Sequence, residues 1–154
     1  MYFHFTISSY FEAAGTYSWT RGAAEISGKG GVFSEFGANG GFSMNVIGSE
    51  KREGAVQRLK LYVGANGMNA KLVVQSTGAA KKMITTKVPK VDGTRNFVWT
   101  IDFIGNITVS WGPDGDARGK LTWQAATLET VASGDKKSQG LVLQSVVMAP
   151  TLAR

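Results

Sequence analysis

The residues of this chain best suited to chemistry are those that could recognise a sugar. Sugar recognition uses aromatic rings that stack on C–H groups, together with amides, carboxylates or cations that hydrogen-bond to hydroxyl groups. Residues of these types lie near the ends of predicted strands. The candidate ligand-binding residues are Tyr62, Asn66, Asn69, Trp111, Asp114 and Arg58.

The two aromatic candidates differ in their expected positions. Tyr62 alternates with Leu61 and Val63, so we expect its ring on the outer surface of a sheet. Trp111 closes a strand pattern, where tryptophan more often belongs to the core, but it directly precedes a Gly-Pro-Asp-Gly loop and is kept as a candidate. Arg58 is included as a cationic helper.

The sequence contains no pattern that names a catalysed reaction. The chain has no cysteine and one histidine, His4, which excludes thiolate chemistry and most zinc, copper and haem sites. No predicted strand carries two acids at i and i+2 on one face, as jelly-roll glycosidases usually do. We therefore predict no catalytic residue, no metal and no cofactor. The lesser alternative is an active site assembled from acids on distant strands.

Two loops contain residues that could bind a charged group, an anionic backbone in one case and a calcium ion in the other. Gly64-Ala65-Asn66-Gly67 has the G-x-x-G spacing of loops that clamp nucleic-acid backbones, but those loops join helices, so a hairpin loop between strands is favoured. Asp114 and Asp116 could contribute oxygen ligands to calcium. The further acids of an EF-hand loop are missing, which favours a plain Pro-Asp-Gly turn.

The elements that must position these residues are strands, because apolar residues recur with period two. Phe97, Trp99, Ile101 and Phe103 alternate with polar or smaller residues, and helical spacing is nearly absent. The connection 104–106 is predicted to be a tight hairpin turn in which Gly105 supplies a positive φ.

About nine or ten such strands predict an all-β fold: a single domain over residues 1–154, with two antiparallel sheets in a jelly-roll-like β-sandwich. The 20 glycines against three prolines agree with many tight turns. The expected core is Trp19, Phe42, Met44, Leu59, Leu61, Val63, Leu72, Val74, Phe97, Trp99, Ile101, Ile107, Val109, Leu121, Trp123, Leu141 and Leu143.

The charge of the chain, formally +6, is spread along the sequence. Scattered basic residues favour a solvated surface over a face that binds polyanions. Nucleic acid is disfavoured because no basic stripe alternates with aromatic residues. No apolar run is long enough to span a bilayer, so no membrane insertion is expected.

Several segments in order resemble a bacterial β-sandwich module that is appended to large exported proteins, often glycoside hydrolases or surface proteins. The segments are YSWTRG (17–22), GGF with the alternating positions that follow it (40–47), RLKLYVGA (58–65), AKLVVQS (70–76), FVWTIDF (97–103), ITVSW (107–111) and LTWQAATL (121–128). Where such modules carry a longer aromatic-bearing segment after Y-V-G, this chain has the short polar stretch ANGMN.

This resemblance implies a non-catalytic accessory module, plausibly carbohydrate-binding, that works outside the cell or at its surface as part of a longer exported protein. The expected partners are a polysaccharide or glycan, which could be acidic, and neighbouring domains of the larger chain. The start of the chain lacks a secretory signal pattern, so the alternative is a protein that stays inside the cell. A second alternative is a structural or adhesive spacer with no small-molecule ligand.

Overall fold

The fold is known from a computed structural model of the chain. It describes residues 8–10, 17–20, 25–28, 31–36, 41–48, 55–77, 81–115, 118–131 and 141–148. Side chains are described within 41–48, 55–77, 81–115 and 118–131, and at Leu141 and Leu143. The predicted core residue Trp19 and the calcium candidate Asp116 have side chains that lie outside this set.

The described residues form a β-sandwich, as predicted. Its strands are β1 (Ser8–Tyr10), β2 (Tyr17–Thr20), β3 (Glu25–Gly28), β4 (Gly31–Phe36), β5 (Phe42–Val46), β6 (Gln57–Asn66), β7 (Ala70–Ser76), β8 (Met83–Val88), β9 (Thr94–Phe103), β10 (Ile107–Pro113), β11 (Gly119–Thr130) and β12 (Leu141–Met148).

Two antiparallel sheets carry the core between them. A six-stranded sheet has the order β1-β4-β11-β6-β9-β12, and a four-stranded sheet has the order β5-β10-β7-β8. Strands β2 and β3 form a separate two-stranded sheet. The sandwich is therefore confirmed, whereas jelly-roll connectivity stays a prediction.

The core follows the period-two pattern of the sequence. On β6 and β10 the apolar positions alternate with half-buried ones, so each strand turns one face towards the other sheet. The predicted core residues with described side chains are buried or, for Phe42, Met44, Trp123 and Leu143, partly buried against the core. The structure adds Val46, Ala65, Met68, Ala70, Val88, Phe103 and Trp111.

Two connections that the sequence predicted as hairpins instead cross between the sheets. Strand β6 pairs with β11 and β9, whereas β7 pairs with β10 and β8, so residues 67–69 form an arch from one sheet to the other. Residues 104–106 join β9 to β10 in the same way. Both arches contain a glycine at positive φ, Gly67 at 67° and Gly105 at 76°, so the turn chemistry is as predicted but the pairing is not.

The physical reason lies in the apolar faces of the joined strands. A hairpin would place the strands side by side with their apolar faces on the same side, whereas an arch lets those faces meet across the core. The buried Met68 side chain, 1% exposed, anchors the first arch to the core. Glycine turns and period-two patterns suit both connections equally well.

Candidate functional site

The outer surface of the six-stranded sheet carries the half-buried residues of its inner strand β6. Arg58, Lys60, Tyr62 and Asn66 alternate with buried residues and face away from the core. We call this surface the β6 face. It consists of those four residues and Gly64, with their register partners Thr94, Asn96, Val98, Thr100 and Asp102 on β9 and Lys120, Thr122, Ala125, Thr127 and Glu129 on β11.

One end of the β6 face holds a cation between two acids. Arg58 donates from Nε to Asp102 Oδ1 at 2.7 Å and from a terminal nitrogen to Asp102 Oδ2 at 2.9 Å, a bidentate pair. The hydrogen bond and the charge of Asp102 raise the pKa of the Arg58 guanidinium above its ordinary value. Glu129 is the register partner of Arg58 on β11, and its carboxylate lies 3.9 Å from Lys60 Nζ.

Tyr62 occupies the middle of the β6 face, as the sequence predicted for an outward-facing residue. Its neighbours in register are Val98 and Ala125, whose side chains are short. A break in the β11 register between Trp123 and Ala125 places Gln124 as the extra residue of a β-bulge beside this position. Tyr62 is thus a half-buried aromatic residue whose register neighbours on both adjacent strands have short side chains.

The surface next to Tyr62 is polar because Gly64 has no side chain. A Cβ at Gly64 would lie 2.5 Å from Thr122 Oγ1 and 2.7 Å from Asn96 Oδ1, so these two side chains occupy the space above the glycine. Gln124 Nε2 donates to Asn96 Oδ1 at 2.8 Å, which holds the two amides together. Thr122 Oγ1 is enclosed and has no hydrogen-bond partner among the described residues.

Trp111 lies in the core, and this corrects its place among the ligand-binding candidates. Its side chain is 0% exposed, and its ring packs against Phe97 and Trp99 at centroid distances of 5.9 and 6.4 Å. The indole Nε1 donates to the carbonyl oxygen of Gly64 at 3.1 Å, across the interior of the sandwich. With no exposed surface, the ring cannot stack on a sugar.

The remaining candidates, Asn66, Asn69 and Asp114, meet at the end of the sandwich formed by the 67–69 arch. Asn66 Nδ2 donates to Thr94 Oγ1 at 2.7 Å. Asn69 Oδ1 accepts from the backbone N–H of Lys90 at 2.7 Å, and the backbone oxygen of Asn69 accepts from the N–H of Asp114 at 3.0 Å. The arch thus binds the loops that precede β9 and follow β10.

Asp114 forms ion pairs with two lysines of the four-stranded sheet. Its carboxylate lies 3.8 Å from Lys71 Nζ and 3.0 Å from Lys87 Nζ. Lys71 and Lys87 are direct cross-strand partners, so the acid relieves the repulsion between two like charges. This pairing gives Asp114 a structural role at the end of the sheet.

The structure therefore divides the six candidates among three places. Arg58, Tyr62 and Asn66 share the β6 face; Asn66, Asn69 and Asp114 surround the arch; and Trp111 lies in the core. Sequence reasoning missed Asp102, Asn96, Thr122 and Gln124 because their proximity depends on strand register. Only the alternation within β9 signalled that Asp102 faces outward.

Within the residues whose side chains are described, no group of three or more histidine, cysteine, aspartate or glutamate side chains could hold a metal ion. The part of the chain that is described also has no helix long and apolar enough to cross a membrane.

The chain matches no protein-family model, no curated protein and no solved structure.

Proposed function

We propose that this protein is a non-catalytic carbohydrate-binding module whose ligand lies on the β6 face. The observation that carries the proposal is the half-buried Tyr62 in the middle of an outer sheet surface, flanked by short side chains and by polar groups on both sides. An aromatic ring for stacking, combined with amides and charged groups for hydroxyls, is the combination that sugar recognition requires.

The polar groups of the β6 face are suited to hydroxyl recognition on either side of the ring. Towards the arch lies the half-buried Gln124 amide, which is fixed by its hydrogen bond to the buried Asn96 side chain. Towards the other end lie Lys60, Thr100 and the Arg58–Asp102 pair. Groups that are already held in place lose little conformational entropy when a ligand binds, which supports binding to an extended chain along β6.

The pairing of the acids on this face supports binding rather than hydrolysis. Glycoside hydrolysis needs one carboxyl group that donates a proton and a second that acts as nucleophile or base. Both oxygens of Asp102 accept hydrogen bonds from Arg58. Release of reducing sugar from a polysaccharide that the protein binds would contradict the non-catalytic part of the proposal.

Location outside the cell, within a longer exported protein, is part of the same proposal and is supported by the resemblance of the strand and turn motifs alone. The direct test is affinity electrophoresis of the purified chain through gels that contain neutral or acidic polysaccharides. We expect retardation by at least one polysaccharide, and loss of that retardation in Tyr62→Ala. A chain that is retarded by none would favour the spacer function.

A matched control for this test lies on the other sheet. Met83 is 65% exposed at the start of β8, so Met83→Ala truncates a large side chain on the surface but leaves the β6 face intact. Tyr62→Phe retains the ring and removes only the hydroxyl. Retardation that survives in Met83→Ala and Tyr62→Phe, and is lost in Tyr62→Ala, would assign the binding to the Tyr62 ring.

A further inference from the structure

The positive charge of the described residues is concentrated at one end of the sandwich. Ten lysines and arginines but only four acids have described side chains. Six of these ten cations lie at the end of the strands where the 67–69 arch is found: Lys71, Lys87, Lys90, Arg95, Arg118 and Lys120. Asp92 and Asp114 are the acids with described side chains at that end.

The ion pairs leave several of these cations without an acidic partner. Asp114 forms ion pairs with Lys71 and Lys87. Among the described residues, Lys90, Arg95 and Arg118 form no ion pair, and the side chains of Lys90 and Arg118 are exposed. These cations are therefore available to an anion from solution.

The arch contacts the backbone at or next to two of these cations. The Lys90 N–H bonds to Asn69 Oδ1 at 2.7 Å, which fixes Lys90 beside the arch. On the other side, a Cβ at Gly119 would lie 2.8 Å from Met68 Cβ, so the chain that follows Arg118 packs directly on the arch. The backbone of Lys90 and the residue that follows Arg118 thus both contact the same short connection.

Asn69 adds a neutral donor on the arch itself. Because its Oδ1 accepts from Lys90, its amide orientation is fixed and its NH₂ group is left with no other hydrogen bond to the described residues. Asn69 is exposed. An amide N–H on the same end of the sandwich as exposed cations suits a carboxylate oxygen, whereas a hydroxyl group would also need acceptors.

We propose that the arch end of the sandwich binds an acidic polysaccharide through Lys90, Arg118 and the Asn69 NH₂ group. A polysaccharide is favoured over nucleic acid because the described residues around the arch offer no exposed aromatic side chain on which a base could stack. This surface is distinct from the Tyr62 position, so the inference does not depend on the proposed function.

The test uses the full chain with polygalacturonate as the probe, and with poly-L-glutamate and a single-stranded oligonucleotide as polyanions of other classes. We expect Lys90→Gln/Arg118→Gln to weaken polygalacturonate binding by about tenfold. The matched control Lys81→Gln/Lys82→Gln removes two charges at the opposite end of β8 and should leave binding within about twofold.

Asn69→Asp provides a second variant whose folding should be unaffected. The substitution keeps the oxygen that accepts from Lys90 but replaces the outward NH₂ group with an oxygen, so it should also weaken polygalacturonate binding by about tenfold. Thermal unfolding of all variants checks that the fold is intact.

Equal weakening by the arch-end and control variants would overturn the inference in favour of diffuse charge. Equal or tighter binding of poly-L-glutamate or the oligonucleotide would refute the polysaccharide class. If Lys90→Gln/Arg118→Gln weakens polygalacturonate binding but Tyr62→Ala weakens binding to no glycan, only the proposed function is refuted. If Tyr62→Ala weakens glycan binding but the arch-end variants do not weaken polygalacturonate binding, only this inference is refuted.

Discussion

Gly64→Ala tests the packing of the β6 face, because this glycine is enclosed on both sides of the sheet. Its carbonyl accepts the Trp111 indole N–H at 3.1 Å, and a Cβ on its outer side would meet Thr122 Oγ1 at 2.5 Å and Asn96 Oδ1 at 2.7 Å. Both distances are shorter than van der Waals contact. The new methyl group would displace the Asn96 amide and strain its 2.8 Å bond from Gln124.

The expected magnitude follows from two opposing effects. Overpacking of a closely packed site costs about 1–3 kcal/mol. Replacing glycine by alanine restricts the unfolded chain and offsets about 0.4–1 kcal/mol. We expect a net loss of about 1–2 kcal/mol in the free energy of unfolding, or a fall in Tm of about 2–8 °C for a chain of this length.

Urea denaturation followed by tryptophan fluorescence measures this loss, since Trp99 and Trp111 are buried. The double variant Gly64→Ala/Thr122→Ala should recover part of the loss, because truncation of Thr122 removes one of the two clashing atoms. Unchanged or increased stability in Gly64→Ala would contradict the close packing of Thr122 and Asn96 above Gly64. Strictly additive effects in the double variant would show that Thr122 is not the obstructing group.

Two further predictions concern the core and the ion pair. Trp111→Phe removes the hydrogen bond from the indole N–H to Gly64 and leaves a small cavity, so the free energy of unfolding should fall by about 1–3 kcal/mol while glycan binding is retained. Loss of binding at unchanged stability would contradict the buried position of Trp111. Asp102 raises the Arg58 pKa, so the contribution of this pair to folding stability is fully present below the unfolded-state pKa of Arg58 and is lost only at more alkaline pH. The stability difference between Asp102→Asn and the unsubstituted chain should therefore stay constant from about pH 7 to about pH 10. A steady decline of that difference over this range would contradict the pairing.

The architecture could be predicted because period-two alternation directly reflects which face of a strand is buried. Leu59, Leu61 and Val63 on β6 are buried, as their alternation indicates. The choice between hairpin and arch could not be predicted, because Gly67 and Gly105 have positive φ in connections that cross between the sheets. Which strands pair is decided by contacts distant in sequence, and a local turn pattern contains no information about them.

The candidate site was predictable to the same degree. Tyr62 faces outward as its alternation predicted, and the same logic, applied to Ile107, Val109 and Trp111 on one face of β10, places Trp111 in the core. Its position beside the Gly-Pro-Asp-Gly loop was the misleading signal. The Arg58–Asp102 pair joins residues 44 positions apart in the sequence, and Thr122 and Asn96 come together above Gly64 from two other strands. Both arrangements depend on the register between strands, which no local sequence pattern specifies.

Glycan binding on the β6 face is tested by the affinity of the chain for the polysaccharide that retards it most. Isothermal titration calorimetry would compare the unsubstituted chain with Tyr62→Ala and with the Met83→Ala control. We predict that Tyr62→Ala weakens binding by about tenfold or more, as expected for an aromatic residue at the centre of a binding surface, while Met83→Ala binds like the unsubstituted chain. Equal affinity of Tyr62→Ala and the unsubstituted chain would contradict glycan binding on the β6 face.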